Sequence, residues 1–292
     1  MKKIKYGLFG LLSLGILVAS CSKEEDLNTS DEQNVTNETK KVPQDIIDIV
    51  GDLNMNSEMV RYGTFHFPDG STEERIFIED DIVVTEALLR DMLADKNGDK
   101  GGILQEGRQY STNNLVSQGR NIKVIGYTGG SQALSSSERT ALQWAVNNYN
   151  SLSGVSISFT LSFGTSYGNK DMVVYNNTVN NPSGAGGSAG FPSNGFPNKF
   201  VQIYGLSNYN TNVIEHVITH EMGHSVGFRH TDWFSRQSCG QNSNEGSAGV
   251  GANHINGTPT GYDSTSIMLA CFSNNEDGEF NNNDIRALQT IY

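Results

Sequence analysis

Hydrophobic and polar positions in the second part of the chain follow a pattern that predicts strands separated by helices. A helix is predicted over LSSSERTALQWAVNNYNSLSG (134–154), opened by a serine cap with Glu138 in its first turn and closed near Gly154. The predicted strands are NIKVIGYTG (121–129), VSISFTLSFG (155–164), DMVVYNN (171–177) and KFVQIYG (199–205). This order of elements predicts an α+β fold with a mixed sheet.

A second, shorter pattern predicts a small folded α+β segment over residues 43–108. Its predicted elements are helices at QDIIDIVGDLN (44–54) and TEALLRDMLAD (85–95), and a hairpin of MVRYGTFHF (59–67) and ERIFIEDDIVV (74–84) around the turn PDGS. Thr85 is the predicted cap of the second helix. The chain therefore divides into a front segment, 43–108, and a rear domain, 109–292.

Charge differs sharply between these two parts. Residues 22–109 contain 9 Lys and Arg against 21 Asp and Glu, whereas residues 110–292 contain 8 against 11. So many carboxylates cannot lie in a core and must therefore lie on the surface of the front part of the chain. Two roles for this acidic front segment remain open. It is either a propeptide, removed at a junction such as Arg108-Gln109, or a solvated spacer. The acidic balance also argues against nucleic acid as a partner, and a monomer is expected.

The first twenty residues predict a signal peptide. Lysines at positions 2, 3 and 5 precede an apolar run, residues 7–19, that is too short to span a bilayer. The run ends in LVASC, which resembles the lipobox of bacterial lipoproteins and implies a lipid on Cys21. Ordinary signal cleavage that leaves Cys21 as a free thiol is the alternative.

The residues after Cys21 predict a tether on the outside of the cell. SKEED (22–26) resembles the surface-export tag of certain bacterial lipoproteins, which implies a protein anchored by lipid in the outer membrane and exposed at the cell surface. The alternative is a solvated run of charges. Residues 21–42 contain almost no large apolar side chains, so we expect them to be flexible.

Two further cysteines, Cys239 and Cys271, remain if Cys21 carries a lipid. In an exported chain, two cysteines most simply form one disulfide. Two buried thiols are the alternative.

Candidate metal ligands are concentrated in VITHEMGHSVGFRHTD (217–232). Residues four apart lie on the same face of a helix, so His220 and His224 can reach one cation. Gly227 allows the helix to end and the chain to turn, which lets His230 return as a third ligand. His216 lies too far along the helix to join them and is expected to pack against its neighbours or to support the site.

Three imidazoles with an open fourth position are typical of catalytic zinc, whose bound water has a pKa near neutrality. Glu221 follows His220 directly, so its carboxylate can reach that water and act as the general base of peptide hydrolysis. The sequence thus predicts one catalytic Zn²⁺ ion and a protein or peptide substrate.

The run HEMGHSVGFRH resembles the zinc-binding motif of the metzincins, and among these it resembles the bacterial HEIGH-type metallopeptidases, with Met222 in place of isoleucine. The resemblance covers about residues 110–292 and implies His220, His224 and His230 as zinc ligands with Glu221 as the base. It also implies a tight turn beneath the metal, for which TSIMLA supplies Met268. GGSAGFPSNG (186–195) resembles the edge strand that holds extended substrate, and FNNNDIRALQTIY (280–292) resembles the closing helix.

The chain departs from its relatives at two places. Ala270 stands where astacins and serralysins have a tyrosine, so that source of transition-state stabilisation is missing. The front segment has no cysteine that could act as a matrixin-type switch, and FPDG (67–70) is only loosely similar to the inhibitory aspartate region of astacins. The sequence therefore assigns no mechanism of latency.

Three weaker interpretations remain open. The protein could be a surface adhesion module that keeps zinc for structure, or an enzyme that trims only amino termini. Calcium is a further candidate cofactor, because Asp95, Asn97, Asp99 and Glu106 have the offsets of a calcium loop, although Lys100 stands where that loop needs glycine.

Overall fold

The computed structural model describes residues 40–53, 55–98, 109–242, 244, 252–259 and 261–292. The predicted signal peptide, Cys21 and most of the predicted tether lie outside these residues, as do Asp99 and Glu106 of the candidate calcium loop. Among the residues described, no helix is both long enough and apolar enough to cross a membrane.

Five helices and ten strands are found in this part of the chain. The helices are α1 (Gln44–Asp52), α2 (Glu86–Gly98), α3 (Ser136–Ser151), α4 (Thr211–Ser225) and α5 (Asn282–Ile291). The strands are β1 (Val60–His66), β2 (Thr72–Ile78), β3 (Ile82–Val84), β4 (Tyr110–Ser111), β5 (Asn121–Tyr127), β6 (Ser158–Gly164), β7 (Met172–Asn176), β8 (Gly186–Ser188), β9 (Phe200–Tyr204) and β10 (Asn253–His254).

The central sheet has the strand order β6-β5-β7-β9-β8. Its first four strands are parallel, and β8 runs antiparallel to β9 at one edge. The main core lies between one face of this sheet and α3, α4 and α5, and it includes Val124, Val174, Ile218 and Leu288. The predicted α+β fold with a mixed sheet is thereby confirmed.

The three helices that cover the sheet each begin at a polar side chain that caps the first turn, and the serine cap predicted for α3 is confirmed. Ser135 accepts a hydrogen bond from the amide of Glu138, whose carboxylate returns one to the Ser135 amide, so α3 opens with a capping box. Asn210 caps α4, and Asn281 caps α5. These side chains satisfy amides that have no partner within the helix, which fixes where each helix starts.

The front segment forms an antiparallel sheet of order β1-β2-β3. The prediction of one continuous strand over 74–84 is wrong, because the chain reverses between β2 and β3. Glu79 and Asp80 adopt φ angles of 60° and 63° at this reversal. The turn allows Ile82 to pair opposite Ile78 and buries the apolar strand β3, which a straight continuation would have left in water.

The front segment packs directly on the rear domain within a single compact unit, Thr39–Tyr292. Phe191 of the rear domain lies in the same apolar cluster as α1 and α2. In the other direction, Phe65 and Val83 pack with Ile125 and Val173 on the second face of the central sheet. The backbone of Ile82 also forms a parallel bridge with Ala189, which continues the edge of the central sheet beyond β8.

Candidate metal centre

Helix α4 provides the first half of the site. His220 and His224 lie one turn apart on its buried face, and every residue from Val213 to Ser225 is buried. A helix that is enclosed on all sides is held by the surrounding core, so its two imidazoles have little freedom to move.

The end of α4 brings in the third histidine. Gly227 adopts a φ of 110°, in the left-handed region, and the amide of Phe228 donates to the carbonyl of Gly223 at 2.9 Å. A Cβ atom at Gly227 would also lie 2.7 Å from Leu115 Cδ2. The glycine therefore permits both the turn and the close approach that return His230 to the helix.

The ring nitrogens of the three histidines converge in a way that suits a metal. His220 Nδ1 lies 2.9 Å from the Ile267 carbonyl, and His224 Nδ1 lies 2.8 Å from the Phe228 carbonyl. Since a carbonyl only accepts, both Nδ1 atoms carry the hydrogen and both Nε2 atoms keep a lone pair. The Nε2 atoms of His224 and His230 are only 3.2 Å apart.

Burial also keeps at least one of these rings neutral. It lowers the pKa of His224 to about 4, against the opposing influence of Asp81. A neutral imidazole is the form that binds metal, and buried lone pairs that face one another without a donor between them repel. The donor set therefore fits a divalent cation held by His220, His224 and His230.

A fourth candidate ligand comes from the turn between β2 and β3. The Asp81 Oδ2 oxygen lies 2.6 Å from His230 Nε2 and 3.3 Å from His224 Nε2. Its distance to His220 Nε2 is 3.9 Å. The four ligand atoms all lie within 4.8 Å of one another. Sequence reasoning missed Asp81, although the acidic run EDD between two apolar strands could have raised it as a candidate.

Glu221 lies beside the three imidazoles and beneath the edge strand β8. A Cβ atom at Gly187 would lie only 2.5 Å from Glu221 Cγ, so the strand passes this carboxylate at the closest distance that a glycine allows. Burial, and after it the neighbouring Asp81 carboxylate, raise the pKa of Glu221 well above its usual range. Glu221 Oε2 has no hydrogen-bond partner in the described part of the protein.

A tight turn at Met268 packs against α4. The amide of Leu269 donates to the carbonyl of Ser266 at 3.3 Å, with Met268 at the corner. A Cβ atom at Gly223 would lie 2.5 Å from Met268 Sδ, so the sulfur fills the space that α4 leaves at this glycine. The same turn holds His220 through the carbonyl of Ile267.

Two buried aspartates that sequence reasoning did not single out fix this turn. Asp284 accepts from the Ile267 amide at 3.0 Å and from the Ser266 hydroxyl at 2.7 Å. Asp232, two residues after His230, accepts from the Ala270 amide at 2.9 Å. By fixing this turn they hold the Ile267 carbonyl, which contacts His220. Indirect support of this kind orients ligands in metal sites.

The predicted disulfide joins Cys239 and Cys271. It connects the loop after the third histidine to the chain just beyond Met268. The disulfide lies at one side of a cavity of about 400 Å³, whose lining includes Gly187, Tyr204 and Glu221. This cavity is the cleft in front of the histidines.

Other predicted positions lie apart from the metal ligands. His216 is buried outside the cluster, with its Nδ1 atom 3.9 Å from Glu276. Asp69 of FPDG belongs to the exposed turn between β1 and β2, where it accepts from the Ser71 hydroxyl at 2.6 Å. Gln109, at the predicted cleavage junction, is buried and donates to Asp284 at 2.6 Å. The predicted edge strand over 186–195 is regular only in β8.

Comparison with known proteins finds matches among solved structures. Two solved structures of myroilysin are similar to the chain at 15% sequence identity. The first match has a TM-score of 0.41 and covers 63% of this chain and 98% of that one; the second has a TM-score of 0.39 and covers 62% and 86%. No curated protein matches the chain significantly.

The family match is much broader than the motif alone. The profile of the dual-action HEIGH metallo-peptidases matches residues 76–292. The match begins within β2, earlier than the start near residue 110 that the resemblance implied, and it includes Asp81 as well as the three histidines. Because it covers most of the chain, the protein belongs to the dual-action HEIGH metallo-peptidase family.

Proposed function

We propose that the protein is a zinc-dependent endopeptidase of metzincin type, in which His220, His224 and His230 hold the ion and Glu221 is the general base. One observation carries this proposal. Three imidazoles direct their Nε2 atoms to one point, directly beside a buried carboxylate that lies against the edge strand of the sheet. A site built only for stability has no need of such a carboxylate.

A bound zinc ion supplies Lewis-acid chemistry here, by lowering the pKa of water and by polarising the substrate carbonyl. Glu221 takes a proton from the water as the water oxygen attacks the carbonyl carbon. When the C–N bond breaks, the same carboxyl group delivers that proton to the leaving nitrogen. Burial raises the pKa of Glu221, and a carboxyl group with a raised pKa holds the proton more readily between its uptake from water and its delivery to the leaving nitrogen.

Substrate binding is proposed along β8. An extended peptide can add to an exposed strand edge through backbone hydrogen bonds, which are independent of its side chains. Gly187 of β8 lies against Glu221, so a peptide paired there would have its backbone close to the base. The cleft beside β8 also provides room for side chains. Ala270 supplies no hydroxyl group, so the tyrosine that astacins and serralysins use to stabilise the transition state has no counterpart at this position.

The second candidate function is a surface adhesion module with a structural metal. Asp81 favours this candidate, because structural zinc is usually closed by four protein ligands. The buried Glu221 and the family match favour the enzyme instead. The two functions differ in what happens when the fourth ligand is removed, since an enzyme gains an open position and a structural site loses stability.

Zinc content and hydrolysis measured on the same sample test the proposal. We expect one zinc ion per chain, hydrolysis of casein that stops on chelation, and recovery when zinc is restored. Peptides with blocked and free amino termini then separate an endopeptidase, which cleaves both, from an enzyme that trims amino termini only. Stoichiometric zinc with no hydrolysis, even after the front segment has been removed, would favour the adhesion module.

We also propose that the enzyme is exported and anchored to the outer membrane by a lipid on Cys21, facing the cell exterior. The basic and apolar start of the chain and the LVASC sequence support this location, and the Cys239–Cys271 disulfide is compatible with an oxidising compartment. Labelling cells with a fatty-acid analogue should mark the wild-type protein but not Cys21→Ser. Label retained in Cys21→Ser would contradict the anchor.

A further inference from the structure

We propose that Asp81 is a fourth protein ligand of the metal and that the turn carrying it, residues 79–83, keeps the enzyme latent by filling both the open metal position and the substrate edge. This inference deepens the proposed function and rests on it for the identity of the substrate edge. It assigns a role to the front segment that the sequence left undecided.

The first support is the chemistry of the contacts. The Oδ2 atom of Asp81 has no hydrogen-bond donor among the described residues other than the histidine rings themselves. Two of those rings use their Nδ1 hydrogen on backbone carbonyls and therefore present lone pairs to the carboxylate. A carboxylate oxygen among imidazole lone pairs is repelled unless a cation lies between them. The arrangement thus fits a metal bound by three nitrogens and one oxygen.

The second support is the conformation of the turn. Glu79 and Asp80 are two successive residues with side chains in the left-handed region. Such a conformation costs about 1 kcal/mol for each residue and persists only where other contacts hold it. Glycine, asparagine and aspartate are the residues that hairpin turns favour at such positions, so the conformation is most costly at Glu79. The contacts that hold this turn are those that direct Asp81 at the histidines.

The third support is the backbone pairing next to Asp81. The Ala189 amide donates to the Asp81 carbonyl at 3.0 Å, and the Val83 amide donates to the Ala189 carbonyl at 2.7 Å. Both polar groups of Ala189 are thus occupied at the edge that continues β8. A substrate cannot pair with this part of the edge while the front segment is bound there.

The fourth support is an ion pair that fixes the turn from the side. Arg236 donates to the Glu79 carboxylate at 2.8 Å, and both side chains are almost fully buried. Arg236 belongs to the loop that follows the third histidine and ends at the disulfide. The front turn is therefore attached to the same loop that forms one wall of the cleft.

The metal contacts, the turn conformation, the backbone pairing and the ion pair together describe a closed state. The site can open without breaking any bond at the metal other than that to Asp81. Withdrawal of the turn frees the fourth position for water and frees Ala189 for a substrate backbone. The released carboxylate then becomes solvated, and the strain at Glu79 and Asp80 is relieved. Removal or displacement of the front segment should therefore activate the enzyme.

A cobalt-substituted protein tests the ligand directly, since the visible spectrum of Co²⁺ reports the number and type of its ligands. The full chain is prepared as wild type, Asp81→Asn and Asp81→Ala. The matched control is Asp80→Asn, which changes the adjacent acid of the same turn, whose carboxylate pairs with Arg61 instead. We expect both Asp81 variants to change the spectrum and to release metal to a chelator on the order of tenfold faster. Asp80→Asn should match wild type in both measurements.

Acetohydroxamate tests the accessibility of the site without requiring hydrolysis. Its binding to the cobalt protein is followed by the same spectrum. If the closed state predominates about tenfold in wild type, the apparent affinity for hydroxamate should rise by about tenfold in Asp81→Asn. Hydrolysis of one quenched peptide should rise in parallel, and thermal unfolding of each variant shows whether it is folded.

The outcomes separate this inference from the proposed function. Unchanged spectra, metal release and hydroxamate affinity in the Asp81 variants would overturn the inference, even if all variants cleave casein in a chelator-sensitive way. Conversely, altered spectra and tighter hydroxamate binding with no cleavage by any variant would support Asp81 as a ligand and contradict the peptidase function.

Discussion

The two sides of the metal centre are built in opposite ways. Helix α4 supplies His220, Glu221 and His224 from a few consecutive turns, and it is capped, regular and buried throughout. The turn between β2 and β3 supplies Asp81 from a distant part of the chain, in a left-handed conformation. The helix is held by the main apolar core, whereas the turn is held by an ion pair, by backbone pairing at Ala189 and by the packing of Ile82 and Val83 in two smaller clusters.

This difference indicates which side is permanent and which can be removed. Side chains in the core cannot leave without unfolding the rear domain, because many apolar contacts would be lost together. The turn is attached by an ion pair, by backbone pairing and by the packing of Ile82 and Val83, so the front segment can leave while the core of the rear domain stays folded. Reversible inhibition requires this difference, because the inhibiting turn must leave while the helix keeps the active site in place.

The largest expected effect comes from removing one of the three histidine ligands, which belong to the permanent side of the site. His230→Ala should lose the metal and all measurable hydrolysis, because two imidazoles and a removable carboxylate cannot hold the ion in the open state. Zinc content after gel filtration measures this, with His66→Ala on β1 as the control that keeps metal. Full zinc occupancy in His230→Ala would mean that the third ligand lies elsewhere.

The next largest effect is expected from Glu221, which lies on the same helix as two of the histidines but takes part in the chemistry and not in metal binding. Glu221→Gln should keep its zinc and its fold while the rate of peptide hydrolysis falls by roughly 10²- to 10⁴-fold, since the proton acceptor is lost but no ligand is. The rate should be measured at equal zinc content in the activated enzyme. Near-normal turnover would remove Glu221 from the mechanism.

The removable side is tested through its buried ion pair. Arg236→Gln leaves the Glu79 carboxylate without its main partner and should lower the free energy of unfolding of the full chain by about 3 kcal/mol. It should also raise basal hydrolysis, because the turn is then held more weakly. The measurements are denaturant unfolding and the rate on a quenched peptide.

Arg61→Gln is the matched control for that change. Its ion pair with Asp80 involves the same turn but is largely exposed, so its loss should cost less than about 1 kcal/mol and leave hydrolysis unchanged. Equal effects of the two substitutions would show that the buried pair does not hold the turn on the cleft.

The disulfide beside the cleft should affect stability without changing the metal ligands. Replacing Cys239 and Cys271 together by serine should lower the free energy of unfolding by about 2 to 4 kcal/mol, chiefly because the unfolded chain gains freedom. Denaturant unfolding with and without reductant measures this in wild type, and reductant should not affect the double variant. Two alkylatable thiols in the unreduced, denatured wild type would contradict the bond.

The sequence alone determined the permanent side of the site. The spacing of His220 and His224 follows from the helix repeat, and the role of Gly227 follows from the need for a positive φ where a helix ends. Both are local rules, so they hold without knowledge of the rest of the fold. The serine cap of α3 was predictable from a short motif. The pairing of Cys239 with Cys271 was predictable because only these two cysteines remain if Cys21 carries a lipid.

Only the tertiary structure decided the removable side. An acidic run such as Glu79–Asp81 normally lies in water, and its local pattern suggested a continuous strand rather than a reversal. Its position depends on the pairing of β2 with β3, on the bridge from Ile82 to Ala189, and on Arg236. The bridge to Ala189 and the ion pair with Arg236 join residues far apart in the chain, so their energies exist only once the fold has assembled and no local pattern can report them.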